Sequence, residues 1–234
     1  MIVNYFGLFS SQTLRSLAAK YKNIIIDNTQ GFFSEPMEKV YNVYSCRKFI
    51  GVSDGAYLIK RNIKPVNYEI DHSAARSIFL LSALEEGTNA AYQNSLKNEA
   101  EIERSELLQM SKLTRTILSS VNYERIRDIR RKNYEIMNQA LKDYNELPHI
   151  DITDGQIPMA YPLLYTKRDI REEIVRRRIY APQWWKWVLD NPLAGAVERK
   201  LSQYLIPLPI DQRYGREDMQ EIAAFIKNTI KVVY

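Results

Sequence analysis

The sequence predicts a small α/β segment, residues 1–67, followed by a larger α+β domain with long helices, residues 68–234. Three features indicate this division. A continuous apolar run, NIIID at 23–27, is typical of a strand in a parallel sheet. From about residue 71 the apolar residues recur at helical spacing. Near the end, a proline-punctuated extended segment precedes an amphipathic stretch, as a strand precedes a helix.

The first 60 residues predict strands around one helix. MIVNYFGLF predicts a short strand, and the following stretch has helical composition with Leu14, Leu17 and Ala18 on one face. NIIID predicts a strand buried on both faces. VYSCRKFIGV at 43–52 and GAYLIK at 55–60 predict two strands joined at the SDG turn.

Three helical stretches follow, and Asp71 or Ser73 is placed to cap the first of them. The third of them has the clear amphipathic stripe of a helix that buries one face. The apolar positions are Phe79, Leu80, Leu84 and Tyr92; Leu107, Met110, Leu113, Ile117 and Val121; and Ile126, Ile129, Met137, Ala140, Leu141 and Tyr144.

After Pro148 the pattern changes again. YPLLY at 161–165 predicts a strand, and Thr166 with Asp169 has the spacing of a capping box for a helix. LIPLPIDQRYG at 205–215 predicts an extended segment before the last helix. In that segment we expect the polar residues Asp211, Arg213 and Tyr214 to hydrogen-bond within the domain.

Composition excludes several classes of protein. The chain is 45% hydrophobic and 26% charged, which is enough apolar residues for a core and not the composition of a disordered chain. No apolar run is long enough for a membrane span, and the start lacks secretory-signal features, so no membrane is expected. One cysteine, Cys46, cannot form an internal disulfide, which favours the cytoplasm and a role as a small buried hydrophobe.

Net charge is +5, but the basic runs are interleaved with acidic residues at helical spacing. Such runs are typical of a solvated helix face, so no nucleic-acid partner is expected. The cysteine and the histidines lack the spacing of metal ligands, so no metal site is expected.

Asp27 and Lys48 are the candidate chemical pair. Asp27 ends a predicted parallel strand, and ligands bind at the carboxyl ends of such strands. Lys48 follows on the next strand, and neighbouring strands lie roughly 5 Å apart, so both side chains can reach one pocket. The pair is consistent with a plain ion pair or with a pyridoxal phosphate (PLP) site, in which a lysine attaches the cofactor and a carboxylate keeps the pyridine nitrogen protonated. A lysine acting as a base must be neutral part of the time, so we expect its pKa to be lowered by burial and by Arg47.

The motifs IIIDNTQ (24–30) and YSCRKFIGVSDGAYL (44–58), with LIPLPIDQRYGREDMQEI near the end, resemble the DegT-like sugar aminotransferases of fold type I. The resemblance implies PLP as cofactor, with Lys48 as its Schiff-base lysine and Asp27 as the partner of the pyridine nitrogen. It implies that Gln30 touches the ring or its 3-oxygen, that Ser45 helps hold the phosphate and that Arg47 adds charge there.

The reaction implied by the resemblance is transfer of an amino group from an amino-acid donor to a keto acceptor, for example a nucleotide-linked sugar. Residues 1–67 would be the C-terminal part of the PLP-binding large domain and residues 68–234 the small C-terminal domain. Family members have a long stretch before the aspartate strand, whereas 26 residues precede Asp27 here. We therefore expect either a truncated frame or one piece of a split enzyme.

A partial sheet leaves strand edges and faces uncovered, and these invite pairing with another chain. We expect an obligate homo-oligomer or a partner chain that supplies the missing part. The alternative function is a non-catalytic remnant or assembly subunit that works only with that partner. Asp54 and Gly55 are expected to serve the turn after Lys48.

Overall fold

The computed structural model describes residues 1–148, 151–153 and 155–231, a set that excludes His149, one of the two histidines. The chain divides into two compact units, Met1–Tyr123 and Glu124–Tyr234. The fold is a mixture of α and β elements with small sheets and many helices, which confirms the predicted class at that level.

The first unit contains a four-stranded sheet. Its strands, in the order in which they lie in the sheet, are β1 (Ile2–Val3), β2 (Ile25–Asp27), β3 (Tyr41–Ser45) and β4 (Ala56–Ile59). The first three are parallel, and β4 is antiparallel to β3. The predicted strand at residues 1–9 is thus short, because the chain turns into a 3-10 helix at Tyr5–Gly7.

Helix α1 (Ser11–Ala18) covers one face of this sheet. Its first turn is capped by Ser10, whose hydroxyl accepts the Thr13 N–H at 3.1 Å. Leu14 and Ala18 pack with Ile24 and Ile26, as the predicted apolar face requires.

The expectation that the NIIID strand is buried on both faces is wrong. Ile26 is fully buried, whereas Ile25 is 41% exposed. Successive side chains on a strand point to opposite faces, and α1 covers only the face that Ile26 reaches. The other face of the sheet is open at Ile25 and, on the next strand, at Tyr41, which is 39% exposed.

The hairpin after β2 is confirmed, but its first strand is shorter than predicted. β3 ends at Ser45 because Phe49 and Ile50 donate their N–H groups back to the Cys46 carbonyl, at 3.1 and 2.9 Å. The chain therefore turns at the point where the sequence pattern predicts a continuous strand, and residues 46–55 form a loop before β4. This loop, called the lysine loop below, carries Lys48.

Helices α2 (Ile78–Glu85), α3 (Thr88–Arg104) and α4 (Lys112–Ser120) complete the first unit. The predicted capping by Asp71 or Ser73 is wrong. Ser77 is the residue that precedes α2, and its side chain makes no capping hydrogen bond. Asp71 instead pairs with Arg76, and the Ser73 hydroxyl bonds to that of Ser111 at 2.7 Å.

The second unit contains a two-stranded antiparallel sheet and mostly helices. Its elements are α5 (Tyr123–Leu141, which begins on the last residue of the first unit), β5 (Ala160–Leu164), α6 (Arg171–Arg176), α7 (Trp187–Asp190), α8 (Ala196–Tyr204), β6 (Leu205–Pro209) and α9 (Arg216–Lys231). Both predicted strands are present and almost wholly buried. The amphipathic stretch predicted near the end of the chain is confirmed as α9, which buries Met219, Ile222, Ala223, Ile226 and Ile230.

The capping box predicted for α6 is wrong. The Thr166 hydroxyl bonds to the Glu146 carboxylate at 2.8 Å, and Asp169 accepts the Arg171 N–H at 2.9 Å. In contrast, the polar residues after β6 do bond within the unit as expected. Asp211 holds Arg213 through three hydrogen bonds of 2.7, 2.9 and 3.1 Å, and the Tyr214 carbonyl accepts from Asn133 at 3.0 Å.

The division at residue 123 differs from the boundary expected between residues 67 and 68, which stays a prediction about domain ancestry. The compact unit extends further because polar groups at the end of the lysine loop bond to α3 and to the start of α4. Among the helices of the described residues, none combines the length and apolar character that crossing a membrane requires.

Candidate active site

Asp27 and Ser45 lie on the same face of the first sheet. Asp27 is in register with Val43 on the neighbouring parallel strand, and Ser45 is two residues further along. Side chains two residues apart on a strand point the same way, so both lie on the face opposite the one that α1 covers. The Asp27 carboxylate accepts the Thr29 N–H at 2.9 Å, which fixes its orientation at the end of β2.

The turn after Asp27 is held by a cluster of amide side chains. Asn4 donates to Asn28 at 2.9 Å and to Ser34 at 2.9 Å, and its carbonyl accepts from the Phe9 backbone at 3.0 Å. A Cβ at Gly31 would lie 2.7 Å from the Asn4 amide, so only glycine fits there. This packing ties the N-terminal residues to the strand end that carries Asp27.

Lys48 lies in the lysine loop, three residues after the end of β3. Its side chain reaches solvent, yet the protein around it lowers its pKa. Loss of hydration is the main cause, and the Arg47 guanidinium adds to it, while Glu99 and Asp27 act in the opposite direction. The predicted direction of the pKa shift is confirmed. Asp27 is thus near enough to influence the Lys48 amine electrostatically.

Two of the residues that the resemblance assigns to the cofactor have other partners. Arg47 forms an ion pair with Glu99 of α3. The Gln30 side-chain carbonyl accepts the Phe6 N–H at 2.9 Å, and Phe6 has a left-handed backbone with φ +58°. Ser45 is buried, and its hydroxyl makes no hydrogen bond within the part of the chain that the structure describes.

Cys46 is not a candidate nucleophile. It is fully buried, and burial, with a further contribution from Asp54, raises the pKa of its thiol to about 12. A thiol with so high a pKa carries almost no thiolate near neutral pH, so the expectation of a small buried hydrophobe is confirmed.

Aromatic side chains pack beside the lysine loop. Phe49, which follows Lys48, stacks on Phe32 at 5.8 Å between ring centroids and meets Phe33 edge to face at 5.7 Å. Phe32 also contacts Tyr57 of β4 and Tyr123, at 6.4 and 6.3 Å. The loop therefore has an apolar wall on the side of Phe49.

Asp54 does more than serve the turn, which corrects the sequence expectation. It is 5% exposed, and its carboxylate accepts the Ser111 N–H at 2.7 Å, the Ser111 hydroxyl at 3.0 Å and the Thr114 hydroxyl. These groups lie at the start of α4, where backbone N–H groups need acceptors. The hydrogen bonds keep the pKa of Asp54 low despite its burial.

Residues that sequence analysis missed hold the lysine loop from a distance. Glu99 binds Arg47, and its neighbour Asn98 donates to the Ser53 carbonyl at 2.9 Å. Ser111 and Thr114 bind Asp54 across 57 and 60 residues of sequence. A local pattern identifies Ser111 as a helix cap, but no local pattern links it to Asp54.

The residues present meet part of what PLP requires. A carboxylate ends β2, a lysine of lowered pKa lies in the loop after the adjacent strand β3, and a buried hydroxyl lies on the carboxylate's face. The groups that the resemblance assigns to the ring and to the phosphate charge, Gln30 and Arg47, already have protein partners.

Comparison with known sequences gives no match, either to a protein-family model or to a curated protein. Comparison with solved structures does. A DegT/DnrJ/EryC1/StrS aminotransferase from Brucella abortus is 16% identical with a TM-score of 0.59, over 97% of this chain and 62% of that one. DesV of S. venezuelae, solved with a ketimine intermediate, is 13% identical with a TM-score of 0.58, over 99% of this chain and 65% of that one.

PseC of Helicobacter pylori, an aminotransferase involved in pseudoaminic acid biosynthesis, is 14% identical with a TM-score of 0.58, over 99% of this chain and 66% of that one. The resemblance that the motifs predict is thus confirmed at the level of fold. The chain spans 62% to 66% of the length of these three structures.

Proposed function

We propose that this chain is a PLP-dependent aminotransferase-like protein that transfers an amino group from an amino-acid donor to a keto acceptor, a nucleotide-linked keto sugar being the favoured class. The observation that supports this most strongly is the electrostatic influence of Asp27, at the end of β2, on Lys48, in the loop after the adjacent strand β3, in a chain with the fold of sugar aminotransferases. The chain spans 62% of the length of the first of those structures, so the activity of the whole enzyme is a proposal for this chain.

Bound PLP would supply an electron sink for the negative charge that develops at the α-carbon of the donor. Lys48 would attach the cofactor through its Nζ and then, once displaced by the donor amine, move the proton from that carbon. Its lowered pKa increases the fraction of neutral amine that can do so. Asp27 would keep a proton on the pyridine nitrogen, and the Ser45 hydroxyl would bind the phosphate.

Gln30 and Arg47 would need to exchange partners to take the roles that the resemblance implies. Gln30 would release the Phe6 N–H, and Arg47 would share its charge between Glu99 and the phosphate. Arg47 can change partners more readily than Gln30, because its ion pair with Glu99 is partly open to solvent. The Arg47 side chain is 25% exposed, and the Glu99 side chain is 59% exposed.

The test is a visible absorption spectrum of the full chain after incubation with PLP and dialysis. We expect a visible band that Lys48→Ala abolishes and that Lys39→Ala, which removes an exposed lysine of the same unit, retains. Borohydride reduction followed by peptide mass mapping should place the adduct on Lys48. The absence of a visible band, or a band that Lys48→Ala retains, would contradict the proposal.

A second candidate function is that of a subunit that works only with a partner chain. The observation that favours it is the exposure of the first sheet. All four residues of the edge strand β4 are exposed, and Leu58 is 54% exposed. An apolar edge strand that is open along its whole length is a surface for pairing with another polypeptide.

A further inference from the structure

The lysine loop is fixed to α4 at its far end. The Cys46 N–H donates to the Gly55 carbonyl at 3.1 Å, which closes the loop. Gly55 has φ +104°, and a Cβ there would lie 2.9 Å from the Thr114 methyl group, so backbone and helix are in close approach. Asp54 is the group that joins them, through three hydrogen bonds to the first turn of α4 and its cap.

The same loop is held from α3 at two points. Asn98, itself buried, donates to the Ser53 carbonyl at 2.9 Å, and Glu99 binds Arg47. The Ser53 hydroxyl also bonds to that of Ser77 at 2.7 Å. The contacts of Ser53 and Asp54 therefore join the end of the loop to Ser73 and Ser77, to α3 and to the start of α4. Along the sequence, Lys48 lies between these two residues and Arg47, so the loop is held on both sides of it.

We propose that Asp54 is a positioning residue for Lys48: its carboxylate, by binding the start of α4, holds the lysine loop in the shape that sets the Lys48 amine beside Asp27. The catalytic meaning of this inference rests on the proposed function, whereas its physical content concerns the loop alone. In this role, the hydroxyls of Ser111 and Thr114 donate hydrogen bonds to the Asp54 carboxylate.

Two effects of removing the Asp54 charge have opposite signs at Lys48, which makes the inference testable. The charged groups that act on the Lys48 amine are Arg47, Glu99 and Asp27, and loss of hydration outweighs them. If the loop is released, the amine regains water and its pKa rises. If Asp54 acted only as a nearby negative charge, its loss would lower the pKa of Lys48 instead.

The experiment is competitive labelling of the full chain with acetic anhydride across a pH series, with the Lys48 peptide quantified by mass spectrometry. No cofactor is added. We expect the apparent pKa of Lys48 in Asp54→Asn to lie above that in the unaltered chain. A folded Asp54→Asn chain in which the pKa is unchanged or lower overturns the inference.

The matched control is Asn42→Ala, which breaks a buried cluster at the start of β3, where the Asn42 amide donates to Met37 and Val40 at 2.9 Å each. Its Lys48 pKa should equal that of the unaltered chain, which separates positioning from general loosening. An equal rise in Asn42→Ala would contradict the inference. If Asp54→Asn does not fold, Thr114→Val, which removes one hydroxyl donor to Asp54 and keeps the Ser111 cap, should give a smaller rise.

The two proposals fail separately. Absence of a PLP adduct in the unaltered chain counts against the proposed function and leaves the labelling profile intact, since that profile needs no cofactor. If the adduct forms normally and Asp54→Asn leaves the pKa of Lys48 unchanged, the result counts against the positioning role alone.

Discussion

Cys46 and Lys48 are two residues apart and have opposite surroundings. Cys46 directly follows β3 with its side chain fully buried, whereas the Lys48 side chain reaches water. The difference follows from the turn at Cys46, whose carbonyl accepts two N–H groups and ends the strand. A regular strand would have placed both side chains on one face, so this single turn separates a buried thiol from a lysine side chain that reaches solvent.

This separation predicts that Cys46 resists alkylation in the folded chain. With its pKa raised to about 12 by burial, the thiolate is scarce at pH 8 and the sulfur is also shielded. We expect iodoacetamide to modify the folded chain at least about a hundredfold more slowly than the chain in urea. Equal rates in the two conditions, measured by intact mass, would show that the thiol is accessible.

The site residues show which assignments depend on sequence pattern and which do not. Asp27 and Lys48 stand out because a strand end and a turn are local features. The assignments of Gln30 and Arg47 came from resemblance, and their present partners, Phe6 and Glu99, lie 24 and 52 residues away. No local rule indicates such partners, because tertiary packing selects them.

At the scale of elements, the break between α2 and α3 shows how one residue redirects a helix. The apolar spacing from Phe79 to Tyr92 predicts one helix, but Gly87 has φ +92° and ψ 163° and separates two. That backbone region is essentially restricted to glycine. Periodicity alone misses the break, since the apolar residues on both sides keep helical spacing.

We expect Gly87→Ala to lower the free energy of unfolding by about 1–3 kcal/mol, the usual cost of forcing a side chain into that region. Nothing lies within 4 Å of a Cβ built at Gly87, so the cost is conformational and not steric. Gly51→Ala is the matched control, because its Cβ also meets nothing within 4 Å and its φ is not left-handed. Urea unfolding curves that move equally for both variants would refute this reading of Gly87.

Strands were predicted better than their ends. The strand runs ending at Asp27 and after Pro148 stand out because short apolar stretches bounded by turn residues are distinctive. The end of β3 is set by hydrogen bonds to the Cys46 carbonyl, and the start of α4 is set by hydrogen bonds to Asp54. The predicted capping by Asp71 and by Thr166 is wrong because those side chains bind more distant groups.

At the scale of the molecule, the first sheet has an exposed face and an exposed edge. Ile25, Tyr41 and Leu58 are between 39% and 54% exposed, and β4 has β3 as its single neighbour in the sheet. Alternation in an antiparallel pair turns the backbone groups of Ala56 and Leu58 away from β3. An apolar strand with one open edge is a surface for pairing with a strand of another chain.

We expect the chain to associate at micromolar concentration, with a solution mass by light scattering above the 27.4 kDa of one copy. Leu58→Lys should reduce association, because a lysine on an edge strand opposes strand pairing. Leu193→Lys, at a residue 91% exposed in the second unit, should leave it unchanged. A well-folded monomer at these concentrations would contradict the expected homo-oligomer. It would also contradict the expectation that the chain needs a second copy of itself.

The contact between Asp54 and Ser111 closes 57 residues of chain. Contacts so distant in sequence form late in folding, because the intervening chain must lose its freedom before the contact offers any stabilisation. A nascent chain will therefore display Asp27 and Lys48 well before it can organise them. In the proposed positioning role, the loop that carries Lys48 is therefore held only after Ser111 and Thr114 have emerged.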